Sequence, residues 1–272
     1  MLRRLFYFHS MTPKEEVENL KRGIDAIMKF FVRAQIISKY NYNGWSEIAM
    51  AMMWMRLQQN LFAIQKIVEG DLKRHDCQLN NFPIAILLRT VMHDYLHCLL
   101  FKHLRAKLNH QDFELQLCNF LRDQVGRTKG DYSLLKGSDD DVDRFIDKLM
   151  TELEKDKIIK KLGIGGSWEF GSMKKILNEL TQVKTGSDAD ITRSAFSRYA
   201  SYSKVDHLGI VSFKIYDALN AIEFTLALGD ITNYVRIILF EFLSNITCNY
   251  SFIWNDYEQL IKELNEIPVS IR

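Results

Sequence analysis

One stretch of the chain carries a group of polar side chains on an otherwise apolar background. Arg89, His93, Asp94 and His97 lie within a run of leucines, isoleucines and other apolar residues that starts at Ile84. A helix turns about 100° per residue, so Arg89, His93 and His97 fall on one stripe and Asp94 flanks it. The apolar neighbours indicate burial, and a buried guanidinium without a polar partner is costly. The sequence therefore predicts that Arg89 contacts a polar group from elsewhere in the fold.

The same spacing is compatible with a metal site, because histidines at i and i+4 can direct ring nitrogens to one ion. The segment from His93 to His97 has aspartate where the HExxH zinc motif has glutamate, and no third ligand is evident. His93-Asp94, with His75 and Asp76 upstream, resembles the His-Asp dipeptide of the helical HD-type phosphohydrolases. The alternatives are a site without a cofactor, which we prefer, a divalent metal held by His93, Asp94, His97 and His75, and a polar core network.

A second polar cluster occurs later in the chain. Tyr199, Ser203 and His207 follow one another at i+4 steps, with Tyr202 and Asp206 on the adjoining helical face. A serine four residues from a histidine could be a nucleophile and its base. However, neither a sharp nucleophile turn nor an oxyanion-hole segment accompanies this pair, which argues against a serine hydrolase.

The two clusters are predicted to share one pocket, because each alone leaves polar groups short of partners. The candidate catalytic residues of that pocket are Arg89, His93, Asp94, Ser203 and His207. The candidate substrate-binding residues are Tyr199, Tyr202 and Asp206.

Together, the segments Leu87-Leu-Arg-Thr-Val-Met-His93 and Tyr202-Ser-Lys-Val-Asp-His207 resemble the signature segments of an uncharacterised bacterial all-helical family. Its pattern is an Arg-x3-Glu helix followed much later by a Ser-x3-His segment. This chain has His93 in place of the glutamate, so Asp94 is the candidate for the carboxylate role. The resemblance implies a helical fold and an association of the two clusters, but no established activity.

The chain is also similar, more broadly, to HEPN-type helical proteins, many of which are ribonucleases in bacterial defence or toxin systems. Their Arg-x4-6-His motif is matched by Arg105 with His110, and by Arg3 or Arg4 with His9. Chance matches are common at such spacings, so the motif alone decides nothing. The similarity implies a defence-related or RNA-linked role, in which an arginine stabilises phosphate charge and a histidine handles the 2′-hydroxyl proton.

The elements that would position these residues are predicted to be helices throughout. Only three prolines occur in 272 residues, and no strand alternation of useful length is visible. We expect an all-α bundle of nine or ten largely antiparallel helices in a single domain, 1–272, with an irregular portion at about 126–170. The expected helices span about 12–39, 45–68, 83–107, 111–124, 138–160, 171–183, 190–205, 208–228, 231–248 and 254–265.

Composition limits the partners that can be expected. The chain has 36 basic and 34 acidic side chains, a formal charge of +2, so nucleic-acid binding would have to be local. The partners considered are RNA, another protein and a second copy of the chain.

The expected location is the cytoplasm of a bacterium. The four cysteines form no CxxC pair, and residues 1–9 lack a signal-peptide core and cleavage site. The apolar stretches 84–101 and 231–248 are interrupted by charged residues, which favours buried helices over membrane spans.

Overall fold

The structure is a computed structural model that describes residues 12–34, 45–73, 81–114, 116–117, 144, 180, 190–203, 221–244 and 251–268. These residues form seven helices, and no strand occurs among them. The all-α prediction is therefore confirmed for this part of the chain. The expected helices at about 138–160 and 171–183 lie almost wholly outside the described residues, so the predicted number of nine or ten is not confirmed.

The helices are named here in chain order. They are α1 (Pro13–Ala34), α2 (Trp45–Leu72), α3 (Asn81–Lys107), α4 (110–114 with 116–117), α5 (190–203), α6 (Ala221–Ser244) and α7 (Ser251–Asn265). α1 contacts α2, α6 and α7, while α3 contacts α2 and α6.

The start of α1 follows from its sequence. Thr12 Oγ1 accepts a hydrogen bond from the Glu15 amide at 3.3 Å, and the Glu15 carboxylate accepts one from the Thr12 amide at 2.7 Å. This reciprocal capping box satisfies two amide donors at the helix start, and Pro13 occupies the first turn, where its missing N–H costs nothing.

Aromatic side chains join α1, α2 and α7 in the core. Phe30 and Trp54 are fully buried, with ring centroids 6.2 Å apart and an edge-to-face arrangement. Phe31 lies 4.9 Å from Trp54, and Tyr257 lies 6.1 Å from Phe30. The buried side chains of all seven helices belong to this same apolar core. Such close packing explains why helices of ordinary propensity are stable here.

A buried carboxylate holds α4 against the start of α2. Glu114 accepts hydrogen bonds from the backbone amide of Ser46, at 3.2 Å, and from its hydroxyl, and both residues are buried. The first amides of a helix lack partners within that helix, and its N-terminal end carries partial positive charge. Glu114 therefore caps α2 from a distance in the sequence.

Two of the predicted helix boundaries were wrong. α6 continues through Gly229 and Asp230, where we expected one helix to end and another to begin. α2 extends to Leu72, beyond the expected end at Val68. In α6, the Asp230 side chain accepts a hydrogen bond from Ser194 and does not cap a new helix. The helix is continuous through this position.

The link between α5 and α6 is a buried polar network. Ser194 Oγ donates to Asp230 Oδ1 at 3.1 Å, and Arg198 Nε lies 3.3 Å from Asp230 Oδ2. Burial raises the pKa of Asp230 above its ordinary value of 3.8, although Arg198 and then Ser194 oppose that shift. α5 is thus fixed to α6 by a carboxylate that is expensive to keep ionised.

The apolar helices α2 and α3 differ in how fully they are covered. The first half of α2 is almost wholly apolar, yet Met52, Met55 and Phe62 of this helix are 43%, 40% and 50% exposed. In α3, Pro83–Lys107 is long and apolar enough to cross a membrane by length and composition, and 72% of its most apolar window is buried within the fold. Core helices of soluble proteins meet the same criterion.

The Asp230 network predicts a pH dependence of stability. Because the folded state holds the Asp230 proton more tightly, its contribution to the free energy of unfolding is complete below pH 3.8 and is lost as the pH rises through the raised pKa. Asp230→Asn should remove this dependence. Urea unfolding of both proteins between pH 3 and pH 7 would measure it, with exposed Asp190→Asn as control. An unfolding difference that is constant across this range would contradict the prediction.

A pair of glycine substitutions tests the packing of α6. A Cβ at Gly229 would meet no atom within 4 Å, so Gly229→Ala should raise the unfolding free energy by about 0.5–1 kcal/mol through helix propensity. A Cβ at Gly23 would lie 2.5 Å from Leu228 Cδ1, so Gly23→Ala should not stabilise and should cost about 1–3 kcal/mol through overpacking. Urea unfolding measures the free energy of unfolding of the two variants. Equal changes in the two variants would contradict the packing described for Gly23 and Gly229.

Candidate functional site

The candidate site is built on an ion pair between α2 and α3. The side chain of Asp94 is 5% exposed, and its Oδ2 lies 3.2 Å from Nε of Arg56 on α2. Arg56 itself is 45% exposed, so its guanidinium is open to solvent on one side. The pair therefore connects the buried floor of the site with the protein surface.

His93 occupies the exposed rim beside this pair. Its side chain is 37% exposed, and Nδ1 lies 3.6 Å from Asp94 Oδ1, too far for a hydrogen bond but close enough for an ion pair when the ring is protonated. Since Nδ1 is on the side of the carboxylate, Nε2 is the nitrogen available to a bound molecule. The arrangement resembles a carboxylate-supported acid or base.

His97 supports His93 from below. The His97 ring is 3% exposed, and its Nδ1 lies 2.9 Å from the backbone carbonyl oxygen of His93. A carbonyl oxygen can only accept, so Nδ1 of His97 carries the proton and donates it. The two histidine rings are 4.4 Å apart between centroids, which restricts the positions that His93 can take.

Tyr199 brings the two predicted clusters into contact. Cζ of Arg89 lies 5.8 Å from the centroid of the Tyr199 ring, and the His93 ring lies 6.0 Å from it. Arg89 was expected to need a partner from another segment, and the π face of Tyr199 is one. α5 thus contributes an aromatic wall to the site.

The other residues predicted for the site are not shown to reach it. The Ser203 hydroxyl donates to the Tyr199 carbonyl at 2.7 Å, so its proton is used within α5. Tyr202 is 1% exposed and belongs to the apolar core, which keeps it away from an external substrate. Asp206, His207 and His75 lie outside the described residues.

A buried tyrosine from α6 completes the floor. Burial, then the Asp94 charge and Cys98, raise the pKa of Tyr234 well above its ordinary value of 10, and Arg56 opposes this weakly. Its ring stacks on Tyr95 with centroids 5.2 Å apart. Tyr234 therefore stays a neutral phenol, and its hydroxyl finds no hydrogen-bond partner among the described residues.

The candidate metal ligands do not form a complete set here. Within the described ranges, no group of three or more histidine, cysteine, aspartate or glutamate side chains is arranged to hold an ion. Asp94 already faces the positive charge of Arg56, which would oppose a bound dication. The proposed fourth ligand, His75, is not among the described residues.

Arg56 is the candidate site residue that sequence reasoning missed. The first half of α2 is apolar from Ile48 onwards. Arg56 is the first charged residue after that apolar run. A lone arginine in such a helix signals a charged partner, but the sequence does not say which of the acidic residues it meets. The pair with Asp94 becomes visible only when α2 packs on α3.

Comparisons with known proteins add no relative: no family model, no curated protein and no solved structure matches this chain. The resemblances drawn from the two signature segments stay predictions.

Proposed function

We propose that this helical protein binds RNA at the Arg56, Arg89 and His93 site and cleaves it without a metal ion. The observation that carries the proposal is a half-exposed histidine supported by a buried carboxylate, with guanidinium groups contributed by two helices. Those groups are what the transfer of a phosphodiester to a neighbouring hydroxyl requires.

His93 is the proposed proton acceptor. With Nδ1–H directed towards Asp94, the lone pair of Nε2 takes the proton of the RNA 2′-hydroxyl. The 2′-oxygen then bonds to phosphorus, the bond from phosphorus to the 5′-oxygen breaks, and that oxygen takes a proton from water or an acid. The products are a 2′,3′-cyclic phosphate end and a 5′-hydroxyl end. His207, a catalytic candidate from the sequence, lies outside the described residues.

Asp94 supports the histidine in this scheme. The imidazole gains a positive charge when it accepts the proton, and a carboxylate 3.6 Å from Nδ1 stabilises that charge. The Arg56 ion pair holds the buried Asp94 side chain in place. Asp94 is therefore a positioning residue that acts through His93.

The arginines and Tyr199 would bind the substrate. Arg56 is 45% exposed, and a guanidinium matches two phosphate oxygens at once. Arg89 rests over Tyr199, whose half-buried ring offers a surface for a nucleobase. The chain as a whole has a net charge of only +2, so binding must come from this local pair of cations.

Replacing His93 should slow cleavage strongly and leave the fold intact. His93→Ala is expected to lower the cleavage rate of a single-stranded RNA by about 10²–10⁴-fold, the usual contribution of a positioned acid or base. His110→Ala is the matched control, since His110 is exposed at the start of α4 and completes the Arg-x4-His spacing with Arg105. Gel assays with detection of the cyclic phosphate end, with and without EDTA, provide the measurement.

Three results of that experiment would overturn the proposal. They are no cleavage by the wild-type protein, equal loss in His93→Ala and His110→Ala, and loss of wild-type activity in EDTA. The last would favour the metal-dependent phosphohydrolase, which further predicts stoichiometric metal in purified protein and its loss in His93→Ala.

A second candidate, a non-catalytic structural or interaction protein, is favoured by the burial of Asp94. A buried ion pair that joins two core helices can serve packing alone. In that case the polar residues of α3 order the core, and the exposed apolar surface of α2 is free to contact a protein partner.

The stability of two variants, measured together with RNA cleavage, separates these roles. Arg56→Met leaves the charge of the buried Asp94 unpaired and should lower the unfolding free energy by about 3–5 kcal/mol, whereas the double change Arg56→Met with Asp94→Leu should recover most of it. Thermal and urea unfolding measure both. A recovered fold without RNA cleavage supports the proposed site; a wild-type protein that never cleaves RNA supports the structural role.

The finer sequence predictions are kept as parts of this proposal. They are an antiparallel bundle of nine or ten helices in one domain, 1–272, a bacterial cytoplasmic protein, and association as a homodimer. The HEPN-like similarity supports the RNA-linked role only through the chemistry that the site residues could provide.

A further inference from the structure

A groove separate from the α3 site lies between α6 and α7. Its volume is about 310 Å³, within the size range of small-molecule sites. Leu228 of α6, Leu264 of α7 and Ile267 just after α7 form apolar parts of its lining. The groove is built only from neutral side chains, because none of its lining residues is charged.

Two glycines make room for this groove. Gly229 lines it, and a Cβ there would meet no atom within 4 Å, so packing does not explain a glycine inside α6. A glycine inside a helix costs about 1 kcal/mol relative to alanine. Gly23 of α1 accepts the side chain of Leu228, whose Cδ1 would lie 2.5 Å from a Cβ at that position. The absence of a side chain at Gly23 allows Leu228 to pack closely against α1. The absence of a side chain at Gly229 leaves open the space next to the α6 backbone.

Two amide side chains give the groove its polar character. Asn233 of α6 is half-buried and Asn265 of α7 is exposed at the mouth of the groove, and neither side chain makes a hydrogen bond within the described part of the chain. A carboxamide both donates and accepts hydrogen bonds. Thr232 also lines the groove, but its hydroxyl already donates to the Leu228 carbonyl at 2.7 Å.

We propose that this groove binds an uncharged small molecule with an apolar body and an amide-like edge. The apolar lining and the open space at Gly229 take the body, while Asn233 and Asn265 pair with the edge. A charged ligand is disfavoured, because no lining side chain would compensate for the desolvation of its charge.

Three probes of equal shape test this proposal on the full chain. Benzamide is neutral, benzoate is an anion and benzamidinium is a cation, and ligand-detected NMR titration measures the affinity of each. Benzamide should bind more tightly than either ion by about tenfold or more, the ratio that 1.4 kcal/mol of unpaired charge produces. Gly229→Leu should fill the groove and weaken benzamide binding by a similar factor.

Matched variants show whether the probe is in the groove. Gly70→Leu is the control, because a Cβ at Gly70 of α2 also meets no atom within 4 Å, and this residue does not line the groove. Asn233→Asp should shift the preference from benzamide to benzamidinium. Circular dichroism melting verifies that each variant is folded. The proposal is overturned if no probe binds, if all three bind equally, or if benzamide binds Gly229→Leu as well as wild type.

Discussion

The carboxylate of Asp94 imposes the constraint on which the arrangement of the site depends. It belongs to a helix that is apolar on nearly all sides, and only 5% of its side chain is exposed. An ionised carboxylate in such surroundings must be paired, and the partner has to come from a neighbouring helix. Arg56 fulfils this requirement, and the pair fixes the register of α2 against α3. His93, the residue before Asp94, is thereby placed at the solvent-exposed rim.

The same constraint operates at the other wall of the site. Asp230 of α6 is buried, and Arg198 and Ser194 of α5 offset part of the cost of burying its charge. Because these two residues are one helical turn apart, they hold α5 in one rotation about its axis. That rotation brings Tyr199, the residue after Arg198, against Arg89 and His93. Two buried carboxylates thus position an aromatic ring and a histidine that are themselves partly exposed.

The sequence predicted the helices better than the contacts between them. Hydrophobic periodicity and the capping residue Thr12 placed α1, α3 and α7 correctly at the ends that the structure describes, within a few residues. The break predicted at Gly229 and Asp230 was wrong. A glycine followed by an aspartate is typical of a turn, but the same pair also occurs inside a helix when the aspartate is paired with another helix, as Asp230 is with Arg198. Local patterns do not contain that tertiary information.

For the candidate site too, the sequence predicted the residues on one helix but not their contacts with other helices. The sequence indicated that Arg89, His93, Asp94 and His97 belong together and that Arg89 needs a partner, since both follow from helical spacing and desolvation. It did not identify Arg56, because pairing between α2 and α3 depends on how the helices cross. Nor did it show that Tyr202 is buried while Tyr199 reaches the site, because adjacent turns of α5 differ in which neighbours cover them.

The Arg56 and Asp94 pair also determines how this region can evolve. A single replacement at either position leaves a charge without its counterpart, so a lineage that loses one residue is under pressure to lose the other. Substitutions at the two positions should therefore occur together, although 37 other residues separate them in the chain. A descendant that carries two apolar residues there would keep the helix packing and lose the carboxylate beside His93, so the fold would persist without the proposed activity.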